Sequence, residues 1–523
     1  MACTIGMDFG TQSARAVLVC ADTGEILAQA QAEYAHPLNE SALVYGEDYD
    51  KALYELLAAM CAHPRSGETV GICVDATSPT IVPVAADGQL LSAHMNIEAH
   101  PMALVKLWKR HSAQKQADKA LALAREMNEP FLLQTGETVS SEWMLPKVLE
   151  TCEEDPEAFA KTDLTLDLCD YLTYRLTGRV TRAISSMSFK SQWSQDYGFP
   201  SAGYLDALHP GFAARYPYLM RGEVLKPGEA AGELTDEWKM KLHLAQSVTV
   251  AAGQQDGFTP PVALGAVGDG DAALVLGTST VLMLQSRTPC TVDGLCGVVR
   301  SGAVPGLYSI EGGQNCTGDM LGWYMAHMLP ESCAQEAKEK GVSAHTLLSQ
   351  RAVHPWENRL IAIDWWNGSR SAPCDLQLSG FLMGMTLSSR PEDIYLAMLQ
   401  GMAVGTREII GQCRRNGATF TAIRATGGVA KKNPLLMQQY ADILGLPIAV
   451  ADIEQGGAQG AAILAAVAAD VYPTVQAACA AMGAKQFVRY EPDAAHRADY
   501  ERLYHRAAKV RADMARLMHE MDN

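Results

Sequence analysis

The sequence predicts an α/β protein of two domains, and three observations lead there. At 523 residues the chain is longer than one hydrophobic core organises. Short β-branched and apolar runs, punctuated by Gly, alternate with longer helical patterns. Each half opens with a hairpin whose turn carries a Gly-Thr pair, Gly10-Thr11-Gln12-Ser13 in the first and Gly277-Thr278-Ser279 in the second. That is a weak internal duplication rather than a short-period repeat.

Taken in order, residues 3–33 read as three strands, broken by the Gly10 turn and by Asp22-Thr23-Gly24. Glu47–His63 reads as a helix, and Thr69–Val74 as a buried strand ending at Asp75-Ala76-Thr77. Residues 100–170 read as mostly helical. Residues 180–250 read as irregular, with many Pro, Gly and aromatic residues. The second half starts again near Gly253. Ala272–Leu284 gives strand, turn, strand, and Leu307–Glu311 a further strand. Pro391–Asn416 reads as a long helix with the strand Ile423–Thr426 behind it. Pro434–Leu444, Ile448–Ala451 and Gly457–Ala468 follow as helix, strand and Ala-rich helix, and Asp493–Met521 as an amphipathic terminal helix. That helix and the aromatic residues suit a homodimer or packing within one domain equally well.

The composition narrows the function classes. Apolar residues make up 48% and charged residues 19%, as in globular proteins. A net charge of −17 argues against nucleic-acid binding, which needs clustered Lys and Arg. A nucleotide site needs only a few local N–H donors and stays open. Thirteen cysteines without a paired CxxC spacing read as reduced thiols in the cytoplasm. No signal peptide and no membrane-spanning run is expected, so the sequon Asn315-Cys316-Thr317 reads as unglycosylated.

Several short segments carry chemistry, each beside a plainer reading. In Asp8-Phe9-Gly10-Thr11-Gln12-Ser13, Gly10 lets backbone approach an anion, Thr11 and Ser13 offer hydroxyls, and Arg15 adds charge. Asp8 is a candidate for Mg²⁺, directly or through water. The plainer reading is an ordinary hairpin. Gly277-Thr278-Ser279-Thr280 repeats that logic. Asp256, after the apolar run Val248–Gly253 and in the turn Gly253-Gln254-Gln255-Asp256-Gly257, is either a turn former or a base at a strand end, where α/β folds collect their sites. Gly427-Gly428, between a strand and a helix, suits either a loop or a flat ring laid on bare backbone. The small residues Gly456-Gly457-Ala458-Gln459-Gly460 suit close packing and closeness to a ligand. Trp108, Trp365 and Trp366 read as core or rim, and His94, His100 and His111 lack a metal-ligand spacing. Absence of a P-loop, a Gly-x-Gly-x-x-Gly and a His-Glu-x-x-His removes P-loop, dinucleotide and zincin enzymes as first choices. A carboxylate near two phosphate-gripping turns points to phosphoryl transfer onto a hydroxyl.

With these segments in this order the chain resembles the FGGY carbohydrate kinases along nearly its whole length. The resemblance rests on Asp8-Phe9-Gly10-Thr11, Asp256, Gly277-Thr278-Ser279, and Gly427-Gly428 followed by Gln438-Gln439-Tyr440-Ala441-Asp442. Within the family it is most similar to the L-ribulokinases. The stretches that carry this are Val74-Asp75-Ala76-Thr77, Leu107-Trp108-Lys109-Arg110-His111, Ser140–Met144, Cys296-Gly297-Val298-Val299, Glu311-Gly312-Gly313-Gln314 and Asp364-Trp365-Trp366-Asn367-Gly368-Ser369-Arg370-Ser371.

The resemblance implies a two-domain actin/hexokinase-like (ribonuclease H-like) ATPase fold with a cleft between domains. Residues 1–255 would bind the sugar and 256–523 the nucleotide. It implies ATP and Mg²⁺ as cofactors, and a small sugar as the acceptor. Asp256 would be the base on the ketose 5-hydroxyl, with Lys190 and Glu311 on the sugar and Met95 in its pocket. Thr11, Ser13 and Arg15 would lie by the transferred phosphate. Gly277 and Thr278 would hold phosphates, and Gly427, Gly428 and Asn433 would lie near adenosine. The departures are Gly-Gln-Gln before Asp256 and Gly-Phe after it, Ser78-Pro79, Met95, and Asn315-Cys316-Thr317. They bear on which sugar is used: L-ribulose, or D-ribulose, xylulose or a polyol. A non-catalytic sugar or nucleotide sensor on the same scaffold is the alternative of a different class.

Overall fold

The computed structural model describes residues 2–291, 294–295, 297–371 and 373–521. Cys296, from one of the stretches quoted above, lies outside them. The chain divides into two compact units. The first comprises Met1–Val267, Gly297–Ser309 and Gln455–Ala484, and the second Gly268–Cys296, Ile310–Glu454 and Lys485–Asn523.

The first unit is built on a sheet in the order Ala230–Glu233, Thr249–Ala251, Thr69–Ala76, Cys3–Phe9, Ser13–Cys20, Ile26–Glu33, with Gln254–Gln255 also pairing with Thr69–Ala76. Cys3–Phe9 runs parallel to Thr69–Ala76 and antiparallel to Ser13–Cys20. Nearly every residue of Cys3–Phe9 is buried, as expected of a strand covered on both faces. Helices Gly46–Cys61 and Leu168–Thr177 contribute Leu53, Leu56, Leu57, Leu172 and Leu176 to a core shared with Ile5, Met7, Phe9 and Val74. Each such fully buried side chain contributes about 1.5–3 kcal/mol relative to exposure.

Helix Gly456–Ala468 also packs on Cys3–Phe9 and Thr69–Ala76. The single cut between residues 255 and 256 expected from the sequence is therefore corrected. Asp256–Val267 and Gln455–Ala484 belong to the first unit. The cause is backbone contact between glycines and small residues. A Cβ on Gly71 would lie 2.6 Å from the Ala465 carbonyl oxygen, so the helix sits directly against the strand.

The second unit repeats the plan. Its sheet runs Tyr308–Gln314, Thr280–Ser286, Asp271–Leu276, Ala422–Thr426, Ile448–Ala451, Phe487–Tyr490. Asp271–Leu276 is antiparallel to Thr280–Ser286 and parallel to Ala422–Thr426, the same arrangement as Cys3–Phe9 with its neighbours. The helix Pro391–Arg415 has Pro at its start, the Asp393 carboxylate on the Arg390 N–H at 2.9 Å, and Arg414-Arg415 at its end. Helix Arg497–Met521 packs on Pro391–Arg415 and Pro434–Leu444, burying Tyr500, Leu503, Ala507 and Arg511.

Residues 180–250, expected to be irregular, hold the helices Ala202–Leu208, Phe212–Leu219 and Asp236–Leu242 and short strands. Helices of seven or eight residues show too few turns for a clear period in sequence. Among the described residues the free cysteines are buried or partly so, Cys374 apart, and no helix is long and apolar enough to cross a membrane.

Candidate active site

In the first unit three carboxylates gather at the ends of parallel strands. Asp8 is level with Asp75 on the neighbouring strand and with Arg15 across the hairpin. Asp256 follows the two-residue strand Gln254–Gln255, which pairs with Asp75 and Ala76. Its backbone N–H donates to the Ala76 carbonyl at 2.9 Å, and the residue is exposed. The two glutamines before it are buried and held by Ser185. Ser185 Oγ donates to Gln254 Oε1 at 3.1 Å, and Gln255 Nε2 donates to the Ser185 carbonyl at 2.6 Å.

Asp75 is fully buried and accepts from Thr259 Oγ1 at 2.8 Å. Burial, then the neighbouring charge of Asp8, holds its carboxyl well above the usual carboxylate range. Burial raises Asp8 too, against a hydrogen bond from Asp75 and the charge of Arg15. Of the two, Asp8 is the one set against Arg15, whose charge pulls its carboxyl back down. A Cβ on Gly457 would lie 2.9 Å from Asp8 Oδ2 and 3.1 Å from Asp75 Oδ2. That glycine brings the N-terminus of helix Gly456–Ala468 against both carboxyls, where its dipole favours negative charge.

The first hairpin turn is closed by Gly10 N–H on the Ser13 carbonyl at 3.1 Å and braced by Tyr34 Oη on the Gly10 carbonyl at 2.9 Å. Thr11 Oγ1 accepts the Trp108 indole N–H at 3.0 Å, and Ser13 is buried. Lys190 Nζ donates to the Ser78 carbonyl at 2.9 Å. Ser78 Oγ hydrogen-bonds Asp167 Oδ2, whose other oxygen accepts from Thr80 N–H at 3.0 Å. Burial, then the charge of Asp170, pushes Asp167 up to about 7. Met95 packs on the small cluster of Leu91, Met102, Ala103 and Ala158.

In the second unit the Gly277-Thr278-Ser279 turn closes like the first, by Gly277 N–H on the Ser279 carbonyl at 2.9 Å. Its carbonyls are occupied from behind. Gly318 N–H donates to Gly277 and Thr317 N–H to Thr278, at 3.1 and 2.9 Å, at the start of helix Gly318–His327. Gly427 has φ 105°, and its missing Cβ leaves room for the Leu276 backbone, whereas a Cβ on Gly428 would meet open space. Asn433 is buried. Its Oδ1 accepts from Leu436 N–H at 3.1 Å and its Nδ2 donates to Tyr395 Oη at 2.7 Å, so it caps helix Pro434–Leu444. Glu311 is half-buried on Tyr308–Gln314. Around it, Gly313 N–H donates to Ser371 Oγ at 3.1 Å and Arg370 Nη2 to the Thr280 carbonyl at 2.8 Å.

The first unit thus brings together Asp8, Thr11, Ser13, Arg15 and Asp256, and ties Lys190 to the Ser78 loop. The second brings the Gly277 turn, the Gly427-Gly428 loop and Glu311 into one sheet. Sequence reading gave no role to Asp75 and Asp167, and left Trp108 as core or rim. Asp75 carried a usable signal, a charged residue near the end of a buried, mostly apolar strand.

Comparison with known proteins agrees with this architecture. The N-terminal domain model of the FGGY family of carbohydrate kinases matches residues 3–262, and the C-terminal domain model residues 272–469. A ribulokinase from Shouchella clausii is 36% identical over 528 residues, covering 97% of this chain and 94% of its own. A ribulokinase from Mycolicibacterium smegmatis is 35% identical, covering 96% and 92%. Among solved structures, a xylulose kinase from Rhodospirillum rubrum superposes with a TM-score of 0.83 at 21% identity, covering 98% of this chain and 99% of its own. A Plasmodium falciparum glycerol kinase with ADP superposes at 0.78 and 15% identity, covering 97% and 98%. The chain belongs to the FGGY family of carbohydrate kinases and is ribulokinase-like.

Proposed function

We propose that this kinase transfers the γ-phosphoryl group of ATP to the terminal hydroxyl of a ketopentose, converting L-ribulose to L-ribulose 5-phosphate in the cytoplasm, in arabinose catabolism. Kinases of this family use ATP. The sugar assignment follows relatives named ribulokinases at 35–36% identity over nearly the whole chain. The observation that carries the chemistry is the position of Asp256: exposed, pinned through its backbone to Ala76, and beside the buried carboxyl of Asp75, which is held well above the usual carboxylate range.

In this reading Asp256 takes the proton from the 5-hydroxyl as its oxygen attacks phosphorus and ADP leaves. Little covalent help is needed, and positioning and charge neutralisation do the rest. Lys190, Glu311 and Met95 bind the sugar. Thr11, Ser13 and Arg15 attend the transferred phosphate, Gly277 and Thr278 hold the nucleotide phosphates, and Gly427, Gly428 and Asn433 flank adenosine. The open space above Gly428 suits a flat ring, and Asn433 acts by shaping its loop, since its amide is engaged at both ends. Asp8, with hard oxygen donors beside a glycine, fits Mg²⁺, which supplies charge neutralisation to the phosphates when bound.

ADP release measured on L-ribulose, D-ribulose, xylulose and polyols tests the reading. The highest kcat/KM is expected on L-ribulose. A higher value on another acceptor would move the assignment to that sugar, and ADP binding without turnover on any acceptor would turn the chain into a sensor.

A further inference from the structure

Lys147 lies on helix Met144–Glu154, inside the apolar run Leu145-Pro146-Lys147-Val148-Leu149, and is 0% exposed. Its ammonium group makes three hydrogen bonds, all to backbone carbonyls: Leu107 at 2.8 Å, Trp108 at 2.9 Å and Pro79 at 3.3 Å. Burial pushes this amine down to about 7. A charge buried at that cost is retained where its donors have work that an apolar side chain cannot do. Here the carbonyls belong to two loops far apart in sequence, both without regular secondary structure at the bonded residues.

Each loop leads directly to a residue of the proposed site. The Pro79 loop carries Ser78, whose carbonyl accepts Lys190 Nζ at 2.9 Å. The Leu107 loop carries Trp108, whose indole N–H donates to Thr11 Oγ1 at 3.0 Å. A cross-link joins the loops, from Trp108 N–H to Thr80 Oγ1 at 3.3 Å. We propose that Lys147 is a positioning residue that fixes the acceptor-side loop Ser78–Thr80 and the phosphate-side residue Thr11 in one register, acting through Trp108. This rests on the functional reading above, since it takes Lys190 to face the sugar and Thr11 the phosphate. Lys147 itself touches neither reacting group.

The test is Lys147→Met, which keeps the length and apolar stem and removes the donors. On whichever acceptor the native chain turns over fastest, kcat/KM is expected to fall about 10²-fold, the effect of a small misplacement, with KM for ATP unchanged. Combined with Trp108→Phe, the loss is expected to be smaller than the sum of the two single losses in free energy, because both cut one chain. Hydrogen exchange is expected to quicken at Thr80 and at Leu107–Arg110. Unchanged kcat/KM, full additivity with Trp108→Phe, or native exchange at those amides would each overturn the proposal. If Lys147→Met does not fold, Trp108→Phe decides alone: it keeps an aromatic side chain and leaves Lys147 in place while removing the indole N–H, and native kcat/KM would cut the link to Thr11. A native chain inactive on every acceptor would refute the functional reading, and the exchange measurement would still decide the positioning role.

Discussion

Gly6 and Ala458 meet backbone to backbone: a Cβ added to Gly6 would fall on the Ala458 carbonyl oxygen, far inside contact distance. Strand Cys3–Phe9 and helix Gly456–Ala468 can approach this closely only because the strand has no side chain there. The same contact holds Asp8, two residues on, beneath the helix N-terminus. Gly6→Ala is expected to destabilise the fold by about 3 kcal/mol or more, because neither backbone can yield. Gly67→Ala, where an added Cβ meets nothing within 4 Å, is the control and should stay within about 0.5 kcal/mol. Urea unfolding of the two variants checks both.

Asp256 is exposed at a strand end, and its backbone N–H is held by the Ala76 carbonyl, a bond that a side-chain change leaves in place. Removing the charge should therefore spare the fold. Asp256→Asn is expected to lower kcat by about 10²–10⁴-fold, as for loss of a general base, with the melting temperature unchanged. A purified variant with near-native turnover would remove Asp256 from that role.

Where local chemistry decides, the sequence was legible. The hairpins at Gly10 and Gly277 follow from β-branched runs closed by Gly, and helix Pro391–Arg415 from its Pro start and Arg end. Tertiary information was not. Nothing within Gly456–Ala468 says that this helix returns to the first sheet. The partners that make it do so, Gly6 and Gly71, lie some four hundred residues earlier. The site divided the same way. Turn residues and the Asp256 strand end were visible, since glycines and hydroxyls mark turns. Buried titratable groups were not, because nothing local to Lys147 or Asp167 says which distant backbone their side chains meet, and only the fold reveals what they hold.

Asp167 gives a pH dependence with a definite sign. Folded, its carboxyl keeps a proton up to about pH 7, while in the unfolded chain it releases it near the ordinary aspartate value of 3.8. Between those values the folded state binds the extra proton. The contribution of this group to stability is thus complete below 3.8 and is lost as pH rises towards 7. Asp167→Asn mimics the protonated form, with an oxygen for Thr80 N–H and a donor for Ser78 Oγ. It is expected to flatten this part of the profile, so that urea midpoints at pH 5 and pH 8 differ less than in the native chain. An unchanged difference would place the ionisation elsewhere.

Lys190 reaches the Ser78 carbonyl with one of its three donors, at 2.9 Å, and lies over the Phe189 ring. Lys190→Ala should therefore harm acceptor use, raising its KM, while calorimetric ADP binding stays native. Equal loss of both would contradict its assignment to the sugar.

Arg511 couples the C-terminal helix to the strand that carries Glu311. Its guanidinium lies over the Trp365 ring, 4.7 Å from the centroid, and pairs with Asp364; the two are 6% and 3% exposed by side chain. Asp364 Oδ2 in turn accepts from Gln314 Nε2 at 2.6 Å, and Gln314 ends the Glu311 strand. Arg511→Met would leave the Asp364 charge buried and unpaired, at an expected cost of about 3–5 kcal/mol. Adding Asp364→Asn removes that stranded charge. The double variant should therefore recover part of the loss, although it lacks both partners. Additive losses in urea unfolding would show that the pair is not what joins the helix to the strand.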